Sequence, residues 1–467
     1  MARSPWCPAL LCLALGSVLV IPSDVSGAPA DPLYVITDLS SGLDYPTAIN
    51  ASSDVVGQSS VPCGDGSLLS CNRAFVYSSS TGLATELGVI GDGSVGYYST
   101  AHGINAAGDA VGSSPESVPD FSYPGCAVLY PADGGRECLL PGTRSVALAI
   151  NDSGLVVGYA YTSLFVQQAF LYDRNTGSRT DIHAEIVATN PGATGSQATA
   201  INAVGDVVGW FRDGTWRAHA FVRHPDGSFD FLLLPDGIPD TDTEPTGVNT
   251  SGQVVATTNM TSGSWPMKAV LWSGGAAQDL GTLSSPHGVP PASTALGING
   301  QGEIVGGSSY EFYCSGGPSG SCGILMHAFL YSNGVMQDFN DLIPPDSGWV
   351  LYAATAINDG GQIVAHGRHS SGGSGAVLLT RSPGTMIGSL IRLVRGFDLP
   401  GGIANSLVTK LENAQAALAA GDTAAACELL RAFINETRAQ SGKKLTTEQA
   451  DEMIASAEQI RAAIGCP

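Results

Sequence analysis

The sequence predicts a mainly β protein: a seven-bladed β-propeller closed by its N-terminal strand and followed by a small α-helical bundle. The first observation is a phrase that recurs seven times, an aliphatic residue, Asn, two residues, usually Gly, and an apolar pair. The spacing of its asparagines runs from 46 residues (Asn105 to Asn151) to 59 (Asn299 to Asn358), the length of four strands with their loops. The second is a change to an Ala-, Leu- and Glu-rich composition near residue 385. The repeated asparagines are Asn50, Asn105, Asn151, Asn202, Asn249, Asn299 and Asn358.

Each repeat contains four short apolar or alternating segments bounded by turn residues, the pattern of four β-strands. In the third repeat these segments are Ala147–Asn151, Leu155–Gly158, Ala169–Tyr172 and Arg179–Ile182. The Asn-x-x-Gly phrase between the first two favours a type I turn, with Asn at its first position and Gly at its fourth. The first repeat alone departs from it, with Ser53 in place of Gly.

The third segment of each repeat is continuously apolar, which is typical of strands covered on both faces. A propeller blade lies between two neighbouring blades and so provides that burial. The last repeat stops after its third segment, at Leu379, while an unpaired segment, Tyr34–Leu39, precedes the first repeat. We expect Tyr34–Leu39 to pair with Ala376–Leu379, which closes the ring and leaves no open sheet edge.

Residues 1–30 have the pattern of a secretory signal peptide. Arg3 supplies a positive charge, Ala9–Ile21 is apolar, and Ala28–Ala30 fits a small-x-small cleavage site. A retained membrane anchor is the alternative, although the apolar stretch is short for a membrane span. We therefore expect an extracellular protein, secreted or at the cell surface, with no membrane span after cleavage.

Eight cysteines remain once the signal peptide is removed, and an even count in an exported protein favours disulfides. We expect local pairs, although sequence alone does not determine connectivity. Free buried thiols are the alternative, and zinc is disfavoured because no C-x-x-C pair exists. The expected pairs are Cys63 with Cys71, Cys126 with Cys138, Cys314 with Cys322, and Cys427 with Cys466.

The formal net charge is −21, and 13% of the residues are charged. This acidic balance argues against nucleic acids and anionic membrane surfaces as partners, since both repel a negative chain. The sequence also contains no nucleophile elbow, phosphate loop or zinc-protease motif. We expect no cofactor.

After a linker at residues 381–385, residues 386–467 have helical periodicity. Leu407, Leu411 and Leu418 recur at helical spacing, and Thr446 with Gln449 forms a predicted capping box. The predicted organisation is a signal peptide (1–30), a propeller (31–380), the linker and a helical domain.

Two resemblances accompany these patterns. Residues 34–380 resemble the bacterial extracellular HAF repeat family, named after the tripeptide His-Ala-Phe, which occurs here at His219–Phe221 and His327–Phe329. This resemblance implies secretion and repeat architecture, and no established activity. The tail resembles the FIMAH domain of secreted bacterial proteins, which implies an accessory role in attachment or oligomerisation. The residues that carry this second resemblance are Lys410, Leu411, Gly421, Asp422, Ala426, Leu430, Phe433, Ile434, Gly442 and Lys443.

The four antiparallel strands of a blade alternate in direction, so the connections between them alternate between the two faces of the ring. The Asn-x-x-Gly turns therefore lie on one face and the long, irregular loops on the other. Long loops on a rigid scaffold commonly carry binding sites, and aromatic side chains offer stacking surfaces. The aromatic ligand-binding candidates in these loops are Tyr98, Tyr123, Tyr159, Tyr161, Trp210, Trp216, Tyr310 and Tyr313. One loop also contains four weak candidates for calcium ligands, which lack the spacing of a calcium loop and favour a solvated acidic loop. These are Asp236, Asp240, Asp242 and Glu244.

These features favour a secreted, non-enzymatic binding or surface-interaction protein whose loop face holds a carbohydrate or protein ligand. The alternative is a secreted enzyme acting on glycans, a lyase or hydrolase, which requires two carboxylates, or a His and a carboxylate, at the central mouth. A third possibility is a structural component of the cell envelope. The sequence assigns no catalytic residue and leaves the oligomeric state open.

Overall fold

The computed structural model describes residues 33–63, 70–90, 98–115, 125–162, 166–233, 242–259, 267–285, 288–314, 322–397 and 399–466. The side chains of Asn259, Tyr313, Cys314 and Cys322 are outside this description. The predicted signal peptide, residues 1–30, also lies outside it.

Seven four-stranded antiparallel sheets form seven blades, as predicted. Blades 1 to 3 contain β2 (Tyr45–Ile49), β3 (Val55–Pro62), β4 (Ser70–Ser78), β5 (Leu83–Glu86); β6 (Thr100–Ile104), β7 (Ala110–Ser114), β8 (Cys126–Tyr130), β9 (Glu137–Cys138); and β10 (Ser145–Ile150), β11 (Leu155–Tyr161), β12 (Gln167–Asp173), β13 (Ser178–Asp181). Blades 4 to 6 contain β14 (Gly195–Ile201), β15 (Val207–Arg212), β16 (Ala218–Arg223), β17 (Phe229–Phe231); β18 (Thr243–Val248), β19 (Val254–Asn259), β20 (Met267–Ser273), β21 (Ala276–Asp279); and β22 (Ser293–Ile298), β23 (Ile304–Cys314), β24 (Cys322–Ser332), β25 (Val335–Asp338). Blade 7 contains β26 (Trp349–Ile357), β27 (Ile363–His369), β28 (Ser374–Arg381) and, on its outer edge, β1 (Tyr34–Asp38).

The N-terminal strand closes the ring, as the sequence predicts. β1 pairs antiparallel with β28, with Tyr34 opposite Arg381 and Asp38 opposite Val377. Tyr34 is buried and packs edge-on against Phe339, with 5.4 Å between the ring centroids. The N-terminal strand β1 therefore supplies the fourth, outermost strand of blade 7.

The Asn-x-x-Gly turns have one geometry in all seven blades. In blade 5, Asn249 N–H donates to the Gln253 carbonyl (3.0 Å), and Gly252 N–H donates to the Asn249 carbonyl (3.1 Å). The Asn249 Oδ1 atom accepts from Gln253 N–H at 3.0 Å. The fourth turn residue has positive φ, +71° at Gly252, and Ser53 takes the same conformation at +68° in blade 1. Gly suits this position because it has no Cβ to clash there.

The same asparagines also join each blade to the next. Asn249 Nδ2–H donates to the backbone carbonyl of Asn299 in blade 6, at 3.0 Å. Equivalent bonds cross six of the seven blade junctions, and the bond from Asn358 to the Asn50 carbonyl (2.9 Å) joins the last blade to the first. At the remaining junction, Ala106 N–H donates to the Asp152 carboxylate at 2.8 Å. We call this set of bonds the asparagine ring and the surface that carries it the turn face.

A β-bulge recurs in the innermost strand of every blade. In each pairing of the first and second strands the register shifts two residues before the aliphatic residue of the repeat, for example between Ala147 and Ala149. Five of the bulged residues, from five successive blades, border one cavity, so the bulge directs them at the ring axis. The bulged residues are Thr47, His102, Leu148, Thr199, Thr246, Leu296 and Thr355.

One α-helix in the described part of the propeller occurs where the repeat predicts only a strand and a loop. The fourth segment of the third repeat is predicted to run to Ile182, but β13 ends at Asp181 and α1 (Ile182–Thr189) begins there. Asp181 caps this helix, since its Oδ1 atom accepts from Ala184 N–H at 2.9 Å. Ile182 and Ile186 are fully buried against the blades, which explains why this apolar stretch packs as a helix between blades 3 and 4.

Four helices follow the propeller: α2 (Pro383–Gly396), α3 (Gly401–Ala419), α4 (Thr423–Gln440) and α5 (Thr447–Ala463). They share an apolar core in which Leu390, Leu411, Phe433 and Met453 are buried. The predicted capping box at Thr446 and Gln449 is present at the start of α5. None of the helices in the described ranges is long and apolar enough to cross a membrane.

Three of the four expected disulfides lie within the described residues and are formed. They join Cys63 to Cys71, Cys126 to Cys138, and Cys427 to Cys466. Cys314 and Cys322 lie opposite each other in the register of β23 and β24, but their side chains are outside the description. The bond from Cys427 ties α4 to the segment after α5.

We predict that Asn249→Asp lowers the free energy of unfolding by about 1 to 3 kcal/mol. The carboxylate keeps the acceptor used by Gln253 N–H but loses the Nδ2 donor that reaches the Asn299 carbonyl. Urea unfolding of both proteins measures the difference. Asn175→Asp is the control, because the exposed Asn175 amide also donates to a carbonyl, that of Ser153 at 2.8 Å. The control should lose no more than about 0.5 kcal/mol, and equal losses at both positions would contradict a special role for the ring.

We also predict that His102 makes the protein sensitive to acid. Burial lowers the pKa of His102 to about 4, below its ordinary value of 6.5. The unfolded chain therefore binds more protons than the folded one between these values, so this contribution to stability is present above pH 6.5 and is lost toward pH 4. His102→Leu, which places there the residue found at the bulges of blades 3 and 6 (Leu148 and Leu296), removes the effect. When the pH is lowered from 7 to 4.5, the free energy of unfolding of the variant, measured in urea, should rise by about 1 to 3 kcal/mol relative to that of the wild type. If the free energies of the two proteins change with pH in the same way, His102 does not titrate in this range.

Candidate functional site

A groove opens on the face opposite the turns, which we call the loop face. It has a volume of about 980 Å³ and runs from the axial channel between blades 3, 4 and 5. Its walls come from the ends of β11 and β15, the starts of β12, β14 and β18, and the loop between β15 and β16. We call it the blade-4 groove. It is lined by His102, Leu148, Tyr161, Val166, Gln167, Thr194, Gly195, Gln197, Thr199, Trp210, Arg212, Trp216, Glu244, Pro245, Thr246 and Leu296.

Trp216 is the most prominent apolar side chain of the groove, with 73% of its surface exposed. It sits in a short loop that Asp213 holds together. The Asp213 Oδ1 atom accepts from Thr215 N–H and Thr215 Oγ1–H, both at 2.7 Å, and from Arg217 N–H at 3.2 Å. Its Oδ2 atom lies 3.1 Å from His219 Nε2. Hydrogen bonds from the Thr215 side chain and His219 hold the pKa of Asp213 well below its usual range, so it remains ionised.

The backbone at Trp216 is strained, with a φ of +67° in a residue that is not glycine. This left-handed conformation costs about 1 kcal/mol or more in a residue with a Cβ. Trp216 N–H donates to the Asp213 carbonyl at 3.0 Å, which closes the loop in this conformation. The loop thus places a large ring in water at the price of strain, a combination that occurs at ligand-binding positions.

Arg212 lies between the indole rings of Trp210 and Trp216, an arrangement that we call the Arg212 sandwich. Its Cζ atom is 5.1 Å from the centroid of Trp210 and 6.0 Å from that of Trp216. Trp210 itself is 6% exposed, so its ring mainly supports the guanidinium, and Trp216 presents its surface to solvent. The Nε atom of Arg212 is buried and has no hydrogen-bond partner among the described residues. Cation–π contacts hold the guanidinium in place.

Polar side chains complete the groove around this sandwich. Gln197 lies opposite Trp210 in the strand register, and Gln167 Nε2–H donates to the Tyr161 hydroxyl at 3.3 Å. Glu244 borders the groove, and the surrounding protein raises the pKa of its carboxyl by desolvation, although Arg212 opposes this effect. The groove therefore offers amide donors and acceptors, a carboxyl and a cation beside an aromatic surface.

The axial end of the groove contains little that could perform acid–base catalysis. His102 is neutral near pH 7, because burial lowers its pKa, and its Nε2 atom lies 3.0 Å from Thr100 Oγ1. The seven bulged residues include this one histidine and no carboxylate. The described residues also include no group of three or more His, Cys, Asp or Glu side chains placed to hold a metal ion.

Three of the predicted aromatic candidates, Tyr161, Trp210 and Trp216, come together in the blade-4 groove. Tyr159 packs edge-on against Tyr161, with 5.5 Å between the ring centroids, and so supports it from below. Tyr98 is 47% exposed and does not line this groove.

The remaining candidates lie elsewhere or outside the described residues. Tyr310 stacks on His327 with 3.8 Å between the ring centroids and packs against an apolar core cluster, so its ring supports a blade. Tyr123 falls outside the described ranges, and the side chain of Tyr313 is not described.

The structure describes two of the four acidic candidates for calcium ligands, Asp242 and Glu244. Asp236 and Asp240 lie outside the described ranges. Asp242 accepts from Ala218 N–H at 3.0 Å, which gives it a structural bond beside the groove. Glu244 lies in the groove itself.

Sequence reasoning did not select Arg212, Gln167, Gln197 or His102 for this site. Arg212 is the last residue of β15, Gln167 is the first of β12, and Gln197 lies inside β14. A polar residue at such a position does not by itself indicate a binding site. A usable signal existed at His102, since a histidine two residues before the repeated aliphatic position is unlike the Thr or Leu found there in the other blades.

A search of curated proteins finds no match. Among solved structures, AofleA from Arthrobotrys oligospora is similar at 11% sequence identity and a TM-score of 0.30, over 74% of this chain and 86% of AofleA. A mutant of AofleA with three arginines changed to alanine is similar at 11% identity and a TM-score of 0.29, with the same coverage. Residues 71–227, from β4 to the turn before β17, match the family described as Protein of unknown function (DUF3466).

Proposed function

We propose that this chain is a secreted, non-enzymatic binding protein whose blade-4 groove holds a carbohydrate chain of an extracellular glycan. The observation that carries the proposal is the exposed, pre-positioned Trp216 ring beside the Arg212 sandwich. A sugar presents an apolar C–H face, which packs on an aromatic ring, and a rim of hydroxyl groups, which need paired donors and acceptors. Trp216 supplies the ring, and Gln167, Gln197 and Glu244 supply the polar groups.

Several features support the rest of the proposal. Disulfides form and persist in oxidising compartments, which favours an extracellular location. Residues 1–30 would then act as the signal peptide of a bacterial HAF-type repeat protein. The helices of residues 386–467 would form a FIMAH-like domain with an accessory role in attachment or assembly. A concave groove with a mixed polar and apolar lining favours a glycan over a flat protein partner.

We predict that Trp216→Ala weakens sugar binding at least about five-fold. The probes are polyacrylamide conjugates of glucose, galactose, mannose, fucose, N-acetylglucosamine and galacturonic acid, immobilised and tested against the full chain by biolayer interferometry. Leu83→Ala is the control, because Leu83 is 66% exposed and lies on β5 of blade 1, far from the groove along the ring. Loss of a stacking ring removes about 1 to 3 kcal/mol of binding free energy, whereas the control should leave it unchanged.

A second variant separates the ring from its positioning. Asp213→Ala keeps Trp216 but removes the acceptor for Thr215 and Arg217 N–H, so binding should weaken without being lost. Wild-type protein that binds none of the six conjugates, or a Trp216→Ala variant that binds like the control, would contradict the proposal.

One observation favours the enzymatic alternative, a glycan hydrolase or lyase. The raised pKa of Glu244 would help that carboxyl act as a general acid. The test is release of new reducing ends or unsaturated products from plant and bacterial polysaccharides. Product formation by the wild type that is lost in Glu244→Gln would replace the binding proposal with this one.

A further inference from the structure

A second groove lies on the loop face where the ring closes, between blades 7 and 1. It has a volume of about 390 Å³ and shares no residue with the blade-4 groove. We call it the closure groove. It is lined by Asp44, Tyr45, Gln58, Ser60, Asn72, His366 and Ser374.

An exposed aromatic ring also marks this groove. Tyr45, the first residue of β2, is 49% exposed and stacks on His366 of β27, with 4.9 Å between the ring centroids and 21° between the planes. The Nε2 atom of His366 is buried and has no hydrogen-bond partner in the described part of the chain. Burial also lowers the pKa of His366, so its ring is neutral near pH 7. A buried polar atom without a partner is costly unless a water molecule or a ligand satisfies it.

The other polar groups of the closure groove are also available. Asp44 is held in place through one oxygen, since its Oδ2 atom accepts from Ser59 Oγ–H at 2.9 Å and from Ser60 N–H at 2.8 Å. Its Oδ1 atom makes no such bond with the described residues, and neither do the side-chain amides of Gln58 and Asn72. The described residues that line the groove include no lysine or arginine, so its chemistry suits a neutral ligand rich in hydroxyl groups rather than an anion.

The two grooves use the same positions of the repeat. Tyr45 precedes the bulged residue of its blade by two positions and lies opposite Gln58 in the register of β2 and β3. In blade 4, Gln197 occupies the first of these positions and lies opposite Trp210 in the register of β14 and β15. Both blades thus place an aromatic ring and a glutamine across the first two strands, with the two residue types exchanged.

We propose that the closure groove is a second sugar-binding site, which takes a neutral saccharide stacked on Tyr45 and bonded to Asp44, Gln58 and His366. This inference rests on the proposed function of the blade-4 groove. It makes each chain bivalent. Two linked sites bind a repeating glycan with an avidity above either single affinity, provided that the glycan spans both grooves.

Counting bound sugars per chain tests the inference directly. The probes are the methyl glycosides of the five neutral sugars named above (glucose, galactose, mannose, fucose and N-acetylglucosamine), and native mass spectrometry of the full chain counts them. The wild type should bind two, Tyr45→Ala and Trp216→Ala one each, and the double variant none. Leu83→Ala is again the control and should bind two. Gln58→Ala is a second test of the closure groove, since it leaves the Tyr45 ring in place and should lower occupancy of that site at least five-fold.

The outcomes separate the two proposals. One sugar per wild-type chain, lost in Trp216→Ala and kept in Tyr45→Ala, would overturn the second site and leave the proposed function standing. No sugar bound to the wild type would overturn the proposed function. Two sugars bound to Tyr45→Ala would also overturn the second site.

Discussion

The asparagine ring is the constraint on which the rest of the structure depends. The same asparagine side chain makes two kinds of hydrogen bond. In blade 4, the Asn202 Oδ1 atom accepts from Asp206 N–H and closes the turn of its own blade. Its Nδ2 atom donates to the Asn249 carbonyl of the next blade at 3.0 Å. Because each bond joins equivalent atoms of successive blades, it sets the spacing of the innermost strands. The bond from Asn358 to Asn50 makes that spacing circular, so β1 is needed to complete blade 7 and not to begin a new blade.

The asparagine ring fixes the turn face, whereas the loops of the loop face can differ in length and sequence between blades. The turn face is occupied by short turns, and near blades 6 and 7 it borders the helical bundle across a cavity lined by Glu303, Arg381 and Leu390. Arg381, the last residue of β28, donates to the Glu303 carboxylate and to the Tyr34 hydroxyl, which ties β28 and the closing strand to the turn of blade 6. Loops of variable length therefore lie on the opposite face, where they form grooves without disturbing the ring.

The repeat predicts the blades, the closure and the turn geometry because these depend on local patterns that recur seven times. Asn50, Asn151 and Asn249 also stand in Asn-x-Ser/Thr sequences, the acceptor pattern for N-glycosylation. Their buried side-chain amides donate to the next blade, so the repeat accounts for these sequences. The site is less predictable, since it depends on which side chains of different blades meet. Loop position alone did not separate Trp216, which is exposed, from Trp210, which is buried under Arg212. Nor did it reveal that Tyr310 stacks on a histidine held by Asp338.

The strain at Trp216 is tolerable because the surrounding contacts are many and local. Asp213 accepts several hydrogen bonds within five residues, and each is strengthened by its ionised carboxylate. Together they outweigh the roughly 1 kcal/mol of an unfavourable φ. A ring that is already ordered loses less conformational entropy when a ligand stacks on it, so at the proposed sugar site this strain would contribute to affinity. Tyr45 reaches a similar state by another route, since its ring rests on His366 and needs no strained backbone. Two different local solutions thus present a pre-positioned ring on the same face of one rigid frame.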